Sequence, residues 1–240
     1  MPADLAAAVR ELGLDIDEEA LQRLERYRDA IARAAKEFNL TAVREPAAIE
    51  RRHLLESLAL GRLLTDRDLL EADSRILDLG SGAGLPGLPL KIAGPGLRLS
   101  LLESNEKRCR FLREVVRELR LRDVDVLEGR AEEVARKHGQ RASYDLVIAR
   151  AVAPLPVLLE YALPFLRLGG HLAATKGSVT ASEVETAGRA LRELGGELEE
   201  PALLEPPGGQ LQTVVIVTKR AETPNAYPRR TGVPAKRPLL

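Results

Sequence analysis

The sequence holds one cysteine, one methionine, no tryptophan, three phenylalanines and four tyrosines among 240 residues. A lone thiol, Cys109, closes no internal disulfide and supplies no ligand set for structural zinc, a usage that fits a reducing cytoplasm. The only histidines are His53, His138 and His171, and no carboxylates cluster with them in sequence, so no metal site is expected. With aromatics at 3%, platforms for stacking on bases must be few. No window approaches the ~18 uninterrupted apolar residues of a membrane span. Asp4, Glu11, Asp15, Asp17, Glu18 and Glu19 near the start argue against a secretory signal. Formal net charge is zero, 36 basic against 36 acidic side chains, so any surface for nucleic acid must be a local basic patch.

What remains is a globular balance, 45% hydrophobic and 30% charged: one domain with an extension, or two small ones. Residues 1–72 read as successive helices. Asp17 can cap a run in which Leu21, Leu24, Ile31, Ala34, Ala35 and Phe38 recur on one face. Asn39-Leu40-Thr41 breaks it, Pro46 suits a first helical turn, and Ile49 to Leu60 continue helically. From residue 75 the period changes. Arg75–Leu79, Leu97–Leu102, Val124–Leu127, Tyr144–Ala149, His171–Thr175 and Leu211–Thr218 read as strands, separated by helical runs at Leu85–Ala93, Arg108–Leu119, Pro156–Leu166 and Val184–Leu194. Such alternation predicts an α/β fold with right-handed crossovers and a mostly parallel sheet covered on both faces. The division expected is 1–72 helical, 73–220 sheet domain and 221–240 an extended, basic, proline-rich tail without regular structure.

The strongest local pattern is Asp78-Leu79-Gly80-Ser81-Gly82-Ala83-Gly84-Leu85-Pro86-Gly87, where a strand turns into a helix. Glycines there allow a sharp turn and close approach to a ligand; alone, they equally describe a tight turn packed on a strand. Nineteen residues beyond Gly84 the second strand ends in Glu103, where a carboxylate can accept hydrogen bonds from both ribose hydroxyls of a nucleoside. Asp78, Gly80, Gly82, Gly84 and Glu103 are therefore candidate cofactor residues. A dinucleotide and S-adenosylmethionine both fit such a loop. Pro86 removes an N–H donor that a pyrophosphate needs, and Asp78 favours a ligand bearing ammonium and sulfonium cations.

The segment Leu77 to Pro89 resembles motif I of the bacterial glucose-inhibited division protein B family. Asn39-Leu40-Thr41-Ala42, Arg52-His53-Leu54-Leu55-Glu56-Ser57, Gly129-Arg130-Ala131-Glu132, Ala149-Arg150-Ala151, Lys176-Gly177 and the tail Tyr227-Pro228-Arg229-Arg230 through Gly232-Val233-Pro234 agree with it. The resemblance implies a Rossmann-like class I S-adenosylmethionine-dependent methyltransferase fold and methylation of N7 of a guanine in small-subunit (16S) rRNA, with 16S rRNA or the 30S subunit as partner. It further implies that Gly80 and Leu85 line the methionyl side, that Glu103, Ser104 and Asn105 hold the ribose, that Ala131 and Glu132 contact adenine, and that Arg150 lies beside cofactor and target base. Glu56 replaces a usual Asp and Ala149 a common Ser; neither removes a proposed contact.

Guanine N7 carries an unprotonated in-plane lone pair, so no general base is required and the enzyme's task is alignment. Consistently, Ala149-Arg150-Ala151-Val152 stands where amino-group methylation uses Asn/Asp-Pro-Pro-aromatic, and Cys109 falls in a helix. Arg150 and Lys176 follow strands four and five and are candidates for holding the guanine or nearby phosphates, or else are solvated strand-end charges. His53 is a further positioning candidate or a packed junction residue. Arg51, Arg52, Arg229, Arg230, Lys236 and Arg237 are candidate RNA contacts. A monomer is expected; a methyltransferase acting on a small molecule or protein, and a nicotinamide-dependent oxidoreductase, are the competing readings.

Overall fold

A computed structural model of the chain describes residues 5–150, 152–176 and 181–240; Ala151 and Gly177 of the family-like segments lie outside them. The N-terminal region contains α1 (Leu5–Glu11), α2 (Glu18–Glu37), α3 (Pro46–Ile49), a π-helical turn (Glu50–Leu55) and α4 (Glu56–Asp66). Asp17 caps α2, its carboxylate accepting from Ala20 N at 2.7 Å. The run read as one helix from Pro46 thus widens in its middle, a feature frequent at functional sites.

Then follow β1 (Arg75–Leu79), α5 (Gly87–Ala93), β2 (Arg98–Glu103), α6 (Glu106–Glu118), β3 (Val124–Glu128), α7 (Ala131–Val134), β4 (Tyr144–Arg150), α8 (Leu155–Ala162), β5 (Leu166–Lys176), α9 (Ala181–Thr186), α10 (Gly188–Leu194), β6 (Gly196–Leu198), β7 (Ala202–Leu204), β8 (Gln212–Lys219) and α11 (Val233–Lys236). Strand order is β3-β2-β1-β4-β5-β8-β6, with β7 also on β8. The pairs among β1 to β5 are parallel, and β8 runs antiparallel to β5, β6 and β7. The order reverses between β1 and β4, so the carboxyl ends of β1, β2 and β4 open on one crevice.

Successive strand residues feed opposite layers. Ile76, Leu99, Leu146, Ile148 and Ile216 join Leu24, Ile31, Leu54 and Leu58 of the N-terminal helices and Leu112 and Val115 of α6 in one apolar cluster. Leu77, Leu79, Val147, Leu172 and Val215 join Leu155, Leu158 and Leu159 of α8 and Leu194 of α10 in the other. The N-terminal helices thus complete one face of the sheet.

The expectation that residues 221–240 lack regular structure is corrected. Val233–Lys236 is a helical turn, Leu239 is buried in the second cluster, and the intervening chain is strapped down. Arg141 donates to the carbonyls of Tyr227 (2.9 Å) and Thr223 (2.6 Å), and Arg136 to that of Pro228 (2.5 Å). Proline-rich backbone, lacking its own ladder, finds its partners in guanidinium groups. No helix of the described residues is long and apolar enough to cross a membrane.

Candidate cofactor and RNA site

Gly80, Gly82 and Gly84 adopt φ of +70°, +57° and +93°, the region that side chains disfavour. At Gly84 a Cβ would also fall 2.5 Å from the Leu88 side chain. The turn is stitched to the end of β2: Gly80 N and Ser81 N donate to the Leu102 carbonyl (2.9 and 3.0 Å), and Gly82 N to Glu103 Oε2 (3.0 Å). Glu103 Oε1 accepts from Ser104 N and Asn105 N at 2.7 and 2.8 Å. Three backbone donors therefore orient a carboxylate that has about four acceptor positions, next to a cavity it helps to line.

That cavity, about 110 Å³, lies over the ends of β1, β2 and β3, and is walled by Gly80, Glu103, Ser104, Gly129, Ala131 and Glu132 among others. A larger one, about 1120 Å³, lies over β4 and β5 and takes in Arg150, Thr175, Lys176, Gln212, Ala235 and Pro238. Arg130, Val152 and Tyr161 line both. A small chamber with a ribose-type carboxylate beside a roomy, cation-bearing one suits a nucleoside cofactor next to a bulky substrate.

Of the expected cofactor residues, Gly80, Glu103, Ser104, Ala131 and Glu132 face the small chamber. Glu132 also accepts from Gly232 N at 2.9 Å, so one of its oxygens serves the tail. Asn105 caps α6, accepting from Arg108 N. Leu85 belongs to the apolar cluster shared with the N-terminal helices. Asp78 is buried beneath the loop, accepting from Gly87 N at 2.9 Å; burial pushes its carboxyl up to about 7, against the pull of the Gly87 N–H and the Arg150 charge.

Among the cations, Arg150 Nη1 donates to the Arg52 carbonyl (3.4 Å) and stands 3.7 Å from Glu56 Oε2. Burial lowers its pKa, while Glu56 and Asp78 push back. Lys176 is paired with Glu183, which also accepts from Leu155 N at 2.9 Å. His53 has both ring nitrogens engaged, Nδ1 with the Arg52 carbonyl (2.8 Å) and Nε2 with the Thr41 hydroxyl (2.9 Å). Burial, then the charge of Arg150, lowers its pKa to about 4, which leaves it a neutral residue locked at the junction. Arg51, Arg52, Arg230, Lys236 and Arg237 are exposed.

The Arg229 guanidinium grips the fully buried carboxylate of Glu160, Nη2 to Oε2 at 2.5 Å and Nε to Oε1 at 2.9 Å, and so ties the tail to α8. Arg130 and Tyr161 were missed by the sequence reading. Arg130 stands in the family-like segment Gly129 to Glu132 with no role of its own; Tyr161 occupies a helical position that reads as core. Thr175, whose buried hydroxyl has no hydrogen-bond partner among the described residues, gave no signal.

The family model for rRNA small subunit methyltransferase G (GidB) matches residues 20–204. The chain belongs to this family. It is 46% identical to the ribosomal RNA small subunit methyltransferase G of Chloroflexus aggregans, over 95% of this chain and 93% of that one. With its counterpart from Carboxydothermus hydrogenoformans it shares 42% identity over the whole of both chains. The structure of a SAM-dependent methyltransferase from Aquifex aeolicus superposes with a TM-score of 0.53 at 19% identity, covering 78% of this chain and 98% of that one. The fold is thus that of the class I S-adenosylmethionine-dependent methyltransferases. The preformed Glu103 carboxylate in its chamber fits the adenosyl cofactor.

Proposed function

We propose that this chain transfers the methyl group of S-adenosylmethionine to N7 of a guanine in small-subunit (16S) rRNA, acting as a monomer on that RNA or on the 30S subunit. The observation that carries the reading is the Glu103 carboxylate, oriented by the backbone N–H groups of Gly82, Ser104 and Asn105 at the wall of the chamber beside Gly80. Gly80, Glu103, Ser104, Ala131 and Glu132 hold the cofactor, with Gly82, Gly84, Leu85 and Asn105 shaping the turn around it; when bound, it supplies a methyl group on a sulfonium.

The chain's own work is positioning. N7 needs no deprotonation, and its lone pair is aligned with the bond being broken, a gain of orientation alone. His53 has both ring nitrogens hydrogen-bonded and its pKa lowered to about 4 by burial, which makes it too weak a base to serve as one. Cys109 is buried in α6, donates toward the Glu103 carbonyl, and has its thiol pushed up to about 11 by burial. Transfer is therefore direct, without a covalent enzyme intermediate. Arg150 and Lys176 sit in the larger cavity and orient guanine or its phosphates, Arg150 leaving N7 free of its fork. The exposed cations Arg51, Arg52, Arg230, Lys236 and Arg237 contribute phosphate contacts, whose affinity falls steeply with salt.

Small subunits from a strain lacking the enzyme, incubated with the protein and methyl-labelled cofactor, are expected to yield one labelled 7-methylguanosine. Replacement of Arg150 and Lys176 together by alanine should slow this by about a hundredfold, the scale of lost alignment; a wild-type rate would reject their roles. Glu103→Ala removes a charged acceptor for two hydroxyls, each charged hydrogen bond being worth about 1.5–3 kcal/mol. Calorimetric titration with S-adenosylhomocysteine should show affinity down about a hundredfold to ten-thousandfold, and unchanged affinity would remove the proposed seat.

A further inference from the structure

We infer that Tyr27, on α2 of the N-terminal region, is a positioning residue for the cofactor turn. The inference rests on the cofactor seat proposed above. The Tyr27 side chain is completely buried, and its phenol donates to the Ala83 carbonyl at 2.6 Å across 56 residues of sequence. Ala83 lies between Gly82, whose N–H holds Glu103, and Gly84. The turn contains three glycines at positive φ, a stretch with unusually many backbone alternatives. Backbone N–H bonds to β2 hold Gly80, Ser81 and Gly82; the Tyr27 bond adds a restraint on Ala83 from a rigid helix and so narrows the freedom left to the turn before ligand binds. Burial and the neighbouring Asp78 carboxyl hold the phenol well above its ordinary pKa, so it stays a donor at every working pH.

The same N-terminal layer touches the site a second time, where the Arg52 carbonyl receives Arg150. One polar contact fixes the cofactor side, the other the substrate side. The helices that complete the sheet face thereby also set the geometry of the pocket, and the tyrosine is the element that reaches the turn itself.

Tyr27→Phe keeps the ring and removes only the donor. The expected result is a Kd for S-adenosylhomocysteine raised about fivefold, and a matching rise in the cofactor KM with kcat on small subunits within about twofold, the size of one net hydrogen bond. Tyr144→Phe is the control, because Tyr144 is equally buried and its hydroxyl bonds Gln140 at 2.5 Å, away from the turn; its cofactor affinity should match wild type. Wild-type affinity in Tyr27→Phe, with Glu103→Ala still weakened, would overturn the inference and leave the seat intact. Equal weakening in both tyrosine variants would overturn it as mere loss of packing stability. Unchanged binding in Glu103→Ala as well would overturn the seat and the inference with it.

Discussion

Arg229→Ala is expected to destabilise the protein by about 3–5 kcal/mol, the cost of leaving a buried charge without its partner. For a chain of this length that lowers the melting temperature on the order of 10 °C. Glu160 is fully buried on α8, and its two oxygens receive the Arg229 backbone N–H at 2.8 Å, Nε at 2.9 and 3.1 Å and Nη2 at 2.5 Å. Truncation leaves one backbone donor. Replacing both partners by methionine should recover most of the loss, since an apolar pair of similar volume needs no hydration. Arg230→Ala, one residue on and exposed, should stay within about 0.5 kcal/mol of wild type and show its effect as a shallower salt dependence of RNA binding. Thermal unfolding of the three variants decides the matter: an Arg229→Ala protein within about 1 kcal/mol of wild type would mean that the ion pair does not anchor the tail.

The second large effect concerns pH. The Asp78 carboxyl titrates near 3.8 when exposed and at about 7 beneath the loop. Between those values the unfolded chain has released this proton and the native one retains it, so the native state binds more protons and stability falls as pH rises. The contribution is complete below about pH 4 and gone above about pH 7, on the order of 4 kcal/mol for a shift of this size. Asp78→Asn keeps an oxygen for the Gly87 N–H and cannot ionise. Urea unfolding at pH 4 and pH 8 should show the variant gaining on wild type by about that amount as pH rises; a constant difference would refute the titration. Above about pH 7 the ionised carboxylate is kept at a cost in stability, as functional sites often require.

Much of the fold was legible because β1, β2, β4 and β8 are buried on both sides, which makes them continuous apolar runs that no loop resembles. Glu103 was legible because the distance from a glycine turn to the end of the next strand is set by one helix and its connections. What escaped depended on partners distant in sequence. β6 and β7 have three residues each and owe their pairing to β8. Glu160 reads as one polar residue on an apolar helix until Arg229 arrives 69 positions later. Tyr27 reads as core, which it is, and nothing local says that its hydroxyl meets Ala83. Leu85, which the resemblance sets on the methionyl side, belongs to the apolar cluster shared with the N-terminal helices, a neighbourhood that its sequence position does not announce.

Since Leu24, Ile31 and Leu54 lock between the same apolar neighbours as Leu99, Ile148 and Ile216, the helical front of the molecule is not a detachable address label. Swapping it between relatives would graft a complementary half-interface onto a strand surface shaped for another. Substitutions in this layer are therefore absorbed most readily at its solvent-facing side chains, such as Arg51 and Arg52, and least where it meets the strands.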